Sequence, residues 1–162
     1  MRAKKPKHRI VVQTFRNRHK ADIQTFQDVV NYTLDNVKDY GNIGSKLNIT
    51  IKLHNGPLKD HGVECDGLTW NEGKELFIRV NGQLPFLDIL STITHETVHA
   101  IQIATGTLRM EEDGWYWKEK FYGDSPYTGE EDVDNQLPWE YDAYSLDVEL
   151  ARNFVKKHYS NW

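Results

Sequence analysis

The run His95-Glu96-Thr97-Val98-His99 sets two imidazoles four residues apart, with a carboxylate beside the first. On a helix, positions i and i+4 share a face, so both rings can aim at one ion. Glu96, one step round, can reach a water on that ion without ligating it. Zn2+ takes neutral imidazole nitrogens, and three protein ligands leave its fourth position open to water. The chemistry this spacing points to is metal-assisted hydrolysis, with Glu96 as general base. A core holding two histidines and a glutamate in adjacent turns without an ion would lose roughly 2–7 kcal/mol for each unpaired group. A metal removes that objection.

The third ligand must come from elsewhere in the chain. His8, His19, His54, His61, His158, Cys65 and many carboxylates are candidates, and Glu140 is the best of them. Pro138-Trp139 starts a helix, which puts Glu140 in its first turn, where position is well fixed. There a carboxylate also complements the helix dipole. Ala143, three residues on, lets this helix approach the HExxH helix closely. Tyr144 and Asp147 follow the same face, and either can orient a ligand imidazole from behind, as metal-bound histidine requires.

These residues need elements to hold them. Apolar residues recur at three- and four-residue steps over 20–40, which predicts an amphipathic helix ended by Gly41. Residues 47–53 alternate apolar and polar, the period of a half-buried strand. Residues 67–70 and 75–80 read as a hairpin around 71–74. Residues 85–105 are apolar around more than half the circumference, so the HExxH helix is buried. Residues 107–138, rich in glycine, acids and aromatics without a sustained period, read as a long functional loop, a wall or lid over a cleft. A last helix is expected over 139–157. The fold class is α+β: a small, mostly antiparallel sheet packed on the buried HExxH helix and the C-terminal helix.

With 162 residues, 38% hydrophobic and 27% charged, the chain suits one domain and excludes extensive disorder. The single cysteine excludes a disulfide scaffold, and acids on both sides of Cys65 argue against a reactive thiol. No apolar run is long enough to span a membrane. The basic N-terminus lacks a following apolar stretch, which makes a reducing cytoplasm the expected compartment. The net charge of -4 is uneven. Residues 1–20 carry eight Lys or Arg and no acid, whereas residues 111–149 carry thirteen acids against Lys118 and Lys120. The chain therefore divides into a basic arm, 1–19, and a domain, 20–162, with residues 8–15 open to either reading, a strand or part of the arm. The arm is expected to be dispensable for folding, and it offers a route to nucleic acid.

The HExxH helix, the strand-hairpin region before it and the downstream Glu140-Tyr141-Asp142-Ala143 together resemble the zincin metallopeptidases over roughly residues 20–158. More specifically, the chain looks like the minimal gluzincin-like enzymes, including the ImmA/IrrE-type and SprT-like groups and similar phage and bacterial proteins. The resemblance implies a hydrolase whose three ligands are His95, His99 and Glu140, with an edge strand along the cleft to which a protein or peptide substrate adds. It also implies an oxyanion stabiliser. Tyr144, Tyr127, Tyr122 and Tyr116 are candidates, and the helical register with Glu140 favours Tyr144. The alternative is a metal-binding regulatory or sensory protein that acts by binding protein or DNA without proteolysis.

Overall fold

A computed structural model describes residues 8–16, 18–60 and 62–159. Its main sheet has four strands: β1 (Arg9–Gln13), β2 (Asn48–His54), β5 (Gly67–Glu72) and β6 (Glu75–Asn81), in the order β1-β2-β6-β5. Between β2 and β5 lies a small hairpin, β3 (Leu58–Asp60) with β4 (Val63–Cys65), which the sequence reading missed. Helix α1 (Ile23–Asn36) crosses from β1 to β2, which therefore pair in parallel. β2 and β6 are also parallel, and only the β5–β6 hairpin is antiparallel. The domain is α+β, but this sheet is mixed instead of mostly antiparallel. A helix between two neighbouring strands imposes parallel pairing.

The first strand also corrects the domain boundary. Residues 9–13, assigned to the basic arm, form the edge of the sheet. Ile10 and Val12 turn inward, 9% and 8% exposed, and stand level with Ile49 and Ile51 of β2. The arm is thus not dispensable as a unit. Its residues 1–7 lie outside the described residues.

Helix α2 (Phe86–Ala104) carries the HExxH run and packs on the sheet, on α1 and on α4 (Pro138–His158). Every residue from Ile93 to Gln102 is buried. Thr94 and Thr97 are tolerated inside because their hydroxyls donate to Leu90 O at 2.8 Å and Ile93 O at 2.7 Å, within the helix itself. None of the helices is long and apolar enough to cross a membrane among the described residues.

Residues 107–138 are not a loop throughout. They form a second sheet of β7 (Leu108–Glu111), β8 (Gly114–Trp117) and β9 (Lys120–Phe121), followed by one helical turn, α3 (Glu131–Asp134). Their aromatics make a second small core around the fully buried Trp139. Trp115 stacks on it at 5.5 Å between ring centroids, and Tyr122 meets it edge-on at 5.4 Å. Four-residue strands and aromatic packing left no long period to read.

Ile10→Ala should lower stability by about 2 kcal/mol, the low end for a large-to-small core change because β1 is an edge strand. In thermal melts that is a fall in Tm of roughly 4–8 °C. Gln13→Ala, on an exposed position of the same strand, should stay within about 0.5 kcal/mol.

Candidate metal centre

Helix α2 presents His95 and His99 on one face, and Ala143, fully buried, lets α4 come close enough to bring Glu140 to them. Pro138 opens α4 without sacrificing a hydrogen bond, and Trp139, locked in its aromatic cage, fixes the first turn in which Glu140 sits. The three ligand atoms lie within 4.8 Å of one another. The two Nε2 atoms are 3.1 Å apart, and Glu140 Oε1 is 3.3 Å from His95 Nε2 and in contact with His99 Nε2. The group could hold a metal ion.

The far nitrogens of both rings are committed. His95 Nδ1 stands 3.0 Å from Asp147 Oδ2, so Nδ1–H donates to the carboxylate. His99 Nδ1 stands 2.8 Å from Gln102 Oε1. Gln102 is fully buried, and its Nε2 donates to Trp139 O at 3.2 Å and to the Tyr40 hydroxyl at 3.0 Å. A carbonyl can only accept, so the amide orientation is fixed and Oε1 faces His99. His99 Nδ1 must then be the donor. Both Nε2 lone pairs are left facing Glu140. The Tyr40 hydroxyl passes its own proton on to Asp142 Oδ2 at 3.1 Å.

Glu96 occupies the next step of the helix. Its Oε2 accepts a short hydrogen bond from Thr69 Oγ1 of β5, which also donates to Glu96 O at 3.1 Å. Gly67, two residues earlier on the same strand, is where a side chain cannot fit. A β-carbon there would stand 2.5 Å from Glu96 Oε1 and 2.8 Å from Glu96 Cγ.

The electrostatics follow from burial. Desolvation alone would push the His95 pKa down, but the hydrogen bonds to Asp147 and Glu140 overcome it and push it up to about 10. His99 is raised in the same way, against its own burial, chiefly by Glu140. Burial opposes ionisation of Glu140, yet the two histidines hold its carboxyl far below the usual range. Asp147 Oδ1, behind His95, is buried without a hydrogen-bond partner among the described residues.

The structure thus brings together His95, His99, Glu140, Glu96, Asp147 and Tyr144, whose ring lies 4.4 Å from that of His95. The other candidate histidines lie elsewhere. His8 Nδ1 accepts from Leu47 N, His19 bonds to Gly82 O, and His158 stacks on Phe154, while His54 ends β2 with its Nε2 buried and without a hydrogen-bond partner among the described residues. His61 lies outside the described residues. Cys65 is near Glu96, but burial and then the Glu96 charge push its thiol up to about 11. Among the tyrosines, Tyr116 donates to the exposed Asp113, and Tyr122 packs on Trp139. Sequence reasoning missed Gln102, Tyr40, Thr69 and Gly67. Only Gln102 carried a signal, a lone amide one turn beyond His99 in an apolar helix. No family model matches the chain, and no curated protein or solved structure gives a match to it.

Gly67→Ala should cost about 1–3 kcal/mol, as overpacking does. Adding Glu96→Ala should recover part of that loss in a double-mutant cycle of thermal melts. An unchanged cost would mean that the close approach to Glu96 is not its cause. The pH dependence of the protein kept in chelator follows from the two shifts. His95, raised from 6.5 to about 10, contributes stability that is complete below 6.5 and lost as pH rises through 10. Glu140, lowered from 4.5, contributes stability present above 4.5 and lost as pH falls through its folded value. Urea midpoints should therefore fall from pH 6 to pH 10, and Asp147→Asn should flatten that alkaline limb.

Proposed function

We propose that this protein is a zinc-dependent metallopeptidase, with His95, His99 and Glu140 as ligands and Glu96 as general base. The observation that carries the reading is the commitment of both Nδ1 atoms to buried acceptors, which leaves two imidazole lone pairs and one carboxylate oxygen converging. This is the donor set of a hydrolytic zinc site with one position open. Held by His95, His99 and Glu140, a zinc ion would supply a Lewis acid able to polarise a carbonyl and to lower the pKa of a bound water to about 7.

The remaining roles belong to the chain. Thr69 holds Glu96 Oε2, so the carboxylate stays oriented while Oε1 takes up a proton and returns it to the leaving amine. Strand β5 ends the sheet order beside Glu96, and its outer backbone suits an extended peptide added by hydrogen bonds. The Tyr144 phenol, pushed up to about 12 by burial and then by Glu140, stays protonated at neutral pH and serves as donor to a developing oxyanion. Tyr127 offers a second hydroxyl. It accepts from Trp139 Nε1 at 2.8 Å, which leaves its own proton to give.

The test pairs metal analysis with hydrolysis. Glu140→Ala should lose most of the zinc, whereas Asp142→Ala, which meets Tyr40 instead of the ligands, should keep it. Glu96→Gln should fold and hold zinc, while hydrolysis of a casein or peptide-library substrate falls about 10²–10⁴-fold. Full biological activity of the Gln variant would replace the peptidase with a metal-dependent regulatory or sensory protein.

A further inference from the structure

The two imidazoles are backed unequally. His95 meets a carboxylate at once, Asp147 Oδ2 at 3.0 Å, whereas His99 meets a neutral amide, Gln102 Oε1 at 2.8 Å. A carboxylate accepts whichever way it turns. An amide must be held the right way round, because its other end would present N–H groups to the ring. What holds Gln102 therefore matters to His99. Its Nε2 donates to Trp139 O at 3.2 Å and to the Tyr40 hydroxyl at 3.0 Å.

The Trp139 carbonyl can only accept, but a hydroxyl can do either, so Tyr40 helps only while its own hydrogen points elsewhere. Asp142 Oδ2, 3.1 Å away, takes that hydrogen. Burial pushes the Tyr40 pKa up, so the hydrogen is present throughout the neutral range. Three bonds therefore run in series, His99 to Gln102, Gln102 to Tyr40 and Tyr40 to Asp142, each donating away from the point where the Nε2 atoms converge. Hydrogen bonds aligned in one sense polarise one another. His99 thus ends, through two intermediaries, on an acid of α4, the helix whose Asp147 serves His95 directly.

Tyr40 is held in place independently of these bonds. It lies just past α1 in a turn that Gly41 N–H closes onto Lys38 O at 3.2 Å, and Gly41 takes the left-handed φ of 85° there. Its ring meets Trp117 edge-on at 5.9 Å and packs against both apolar cores. The ring serves packing, while the hydroxyl joins Gln102 of α2 to Asp142 of α4, two residues from Glu140.

We infer that Tyr40 is a positioning residue for metal binding: its hydroxyl, aimed by Asp142, holds the Gln102 amide so that His99 presents Nε2 beside His95 and Glu140. This deepens the reading above and rests on its metal site, not on peptide cleavage. Tyr40→Phe keeps the ring and removes only the hydroxyl. Competition against a chromophoric zinc chelator should show zinc binding weakened about tenfold, the low end of what losing a partner behind a metal-bound histidine costs. Asp142→Ala, which leaves the hydroxyl unaimed, should weaken it less, about threefold, so that the site still fills in excess zinc.

Lost packing would weaken zinc binding in any background, whereas lost positioning acts only through Gln102. In Gln102→Met protein, Tyr40→Phe should therefore change zinc affinity by less than about twofold. Unchanged affinity of the single Tyr40→Phe variant, or the same tenfold loss with Met at 102, overturns the inference and spares the metal site. If Gln102→Met does not fold, cobalt-loaded protein decides: visible bands shifted by Tyr40→Phe uphold the inference, and native bands overturn it. A native chain that binds neither zinc nor cobalt removes the metal reading and the inference with it, and a chain that binds zinc but cleaves nothing leaves the inference standing without the peptidase.

Discussion

A helix whose residues from Ile93 to Gln102 are all buried, and which carries two histidines, a glutamate and a glutamine within eight of them, sets a demand the rest of the fold must meet. Each of those groups, unpaired in a low-dielectric interior, would cost on the order of 2–7 kcal/mol, comparable with the whole stability of a domain. Apart from Gln102 Oε1, which serves His99, the helix cannot supply the partners itself, because its backbone groups bond to one another. They come instead from each layer packed against it: Thr69 from the sheet, Asp147 and Glu140 from α4, and Tyr40 from the segment after α1. The layers around α2 are thus tied to it by polar bonds as well as by apolar area.

Those bonds also set the chemistry. A histidine that merely filled core space would take whichever tautomer its surroundings allowed. Here a carboxylate and an amide oxygen, both acceptors, settle the tautomer of each ring, so the Nε2 atoms turn to the same point as Glu140. Without an ion, the cluster meets its burial cost by protonation, which is why the histidines are raised and Glu140 is lowered. The arrangement holds three proton- or metal-binding atoms together in either state.

What the sequence made legible follows the range of the signal. The helices over 20–40, 85–105 and 139–157 were readable because each sustains an apolar period over many turns, and they end within a few residues of α1, α2 and α4. The HExxH spacing and the first-turn position of Glu140 were readable for the same local reason. Strand β1 was legible only as one of two readings of residues 8–15: eight cations in twenty residues favoured an arm over the alternation of Ile10 and Val12, though two inward residues suffice for an edge strand. Parallel pairing of β1, β2 and β6 was not written locally at all. Thr69 and Gly67 matter only because β5 passes beside Glu96, a tertiary fact with no trace in their own neighbourhood.

The stretch over 107–138 joins these arguments. Its aromatic content suggested a wall over a cleft, and its aromatic half packs around one residue, Trp139. Enclosed by Trp115, Trp117, Tyr122 and Tyr127, that indole cannot shift without opening a packed core. Glu140 follows it in the chain, and Gln102, which settles the His99 tautomer, donates to its carbonyl. One rigid aromatic thus fixes the Glu140 carboxylate and the partner of the His99 imidazole. The placement of the three converging side-chain atoms then depends on a small apolar core outside the main one. Loosening that core should displace Glu140 and His99 together, because the backbone of Trp139 is common to both.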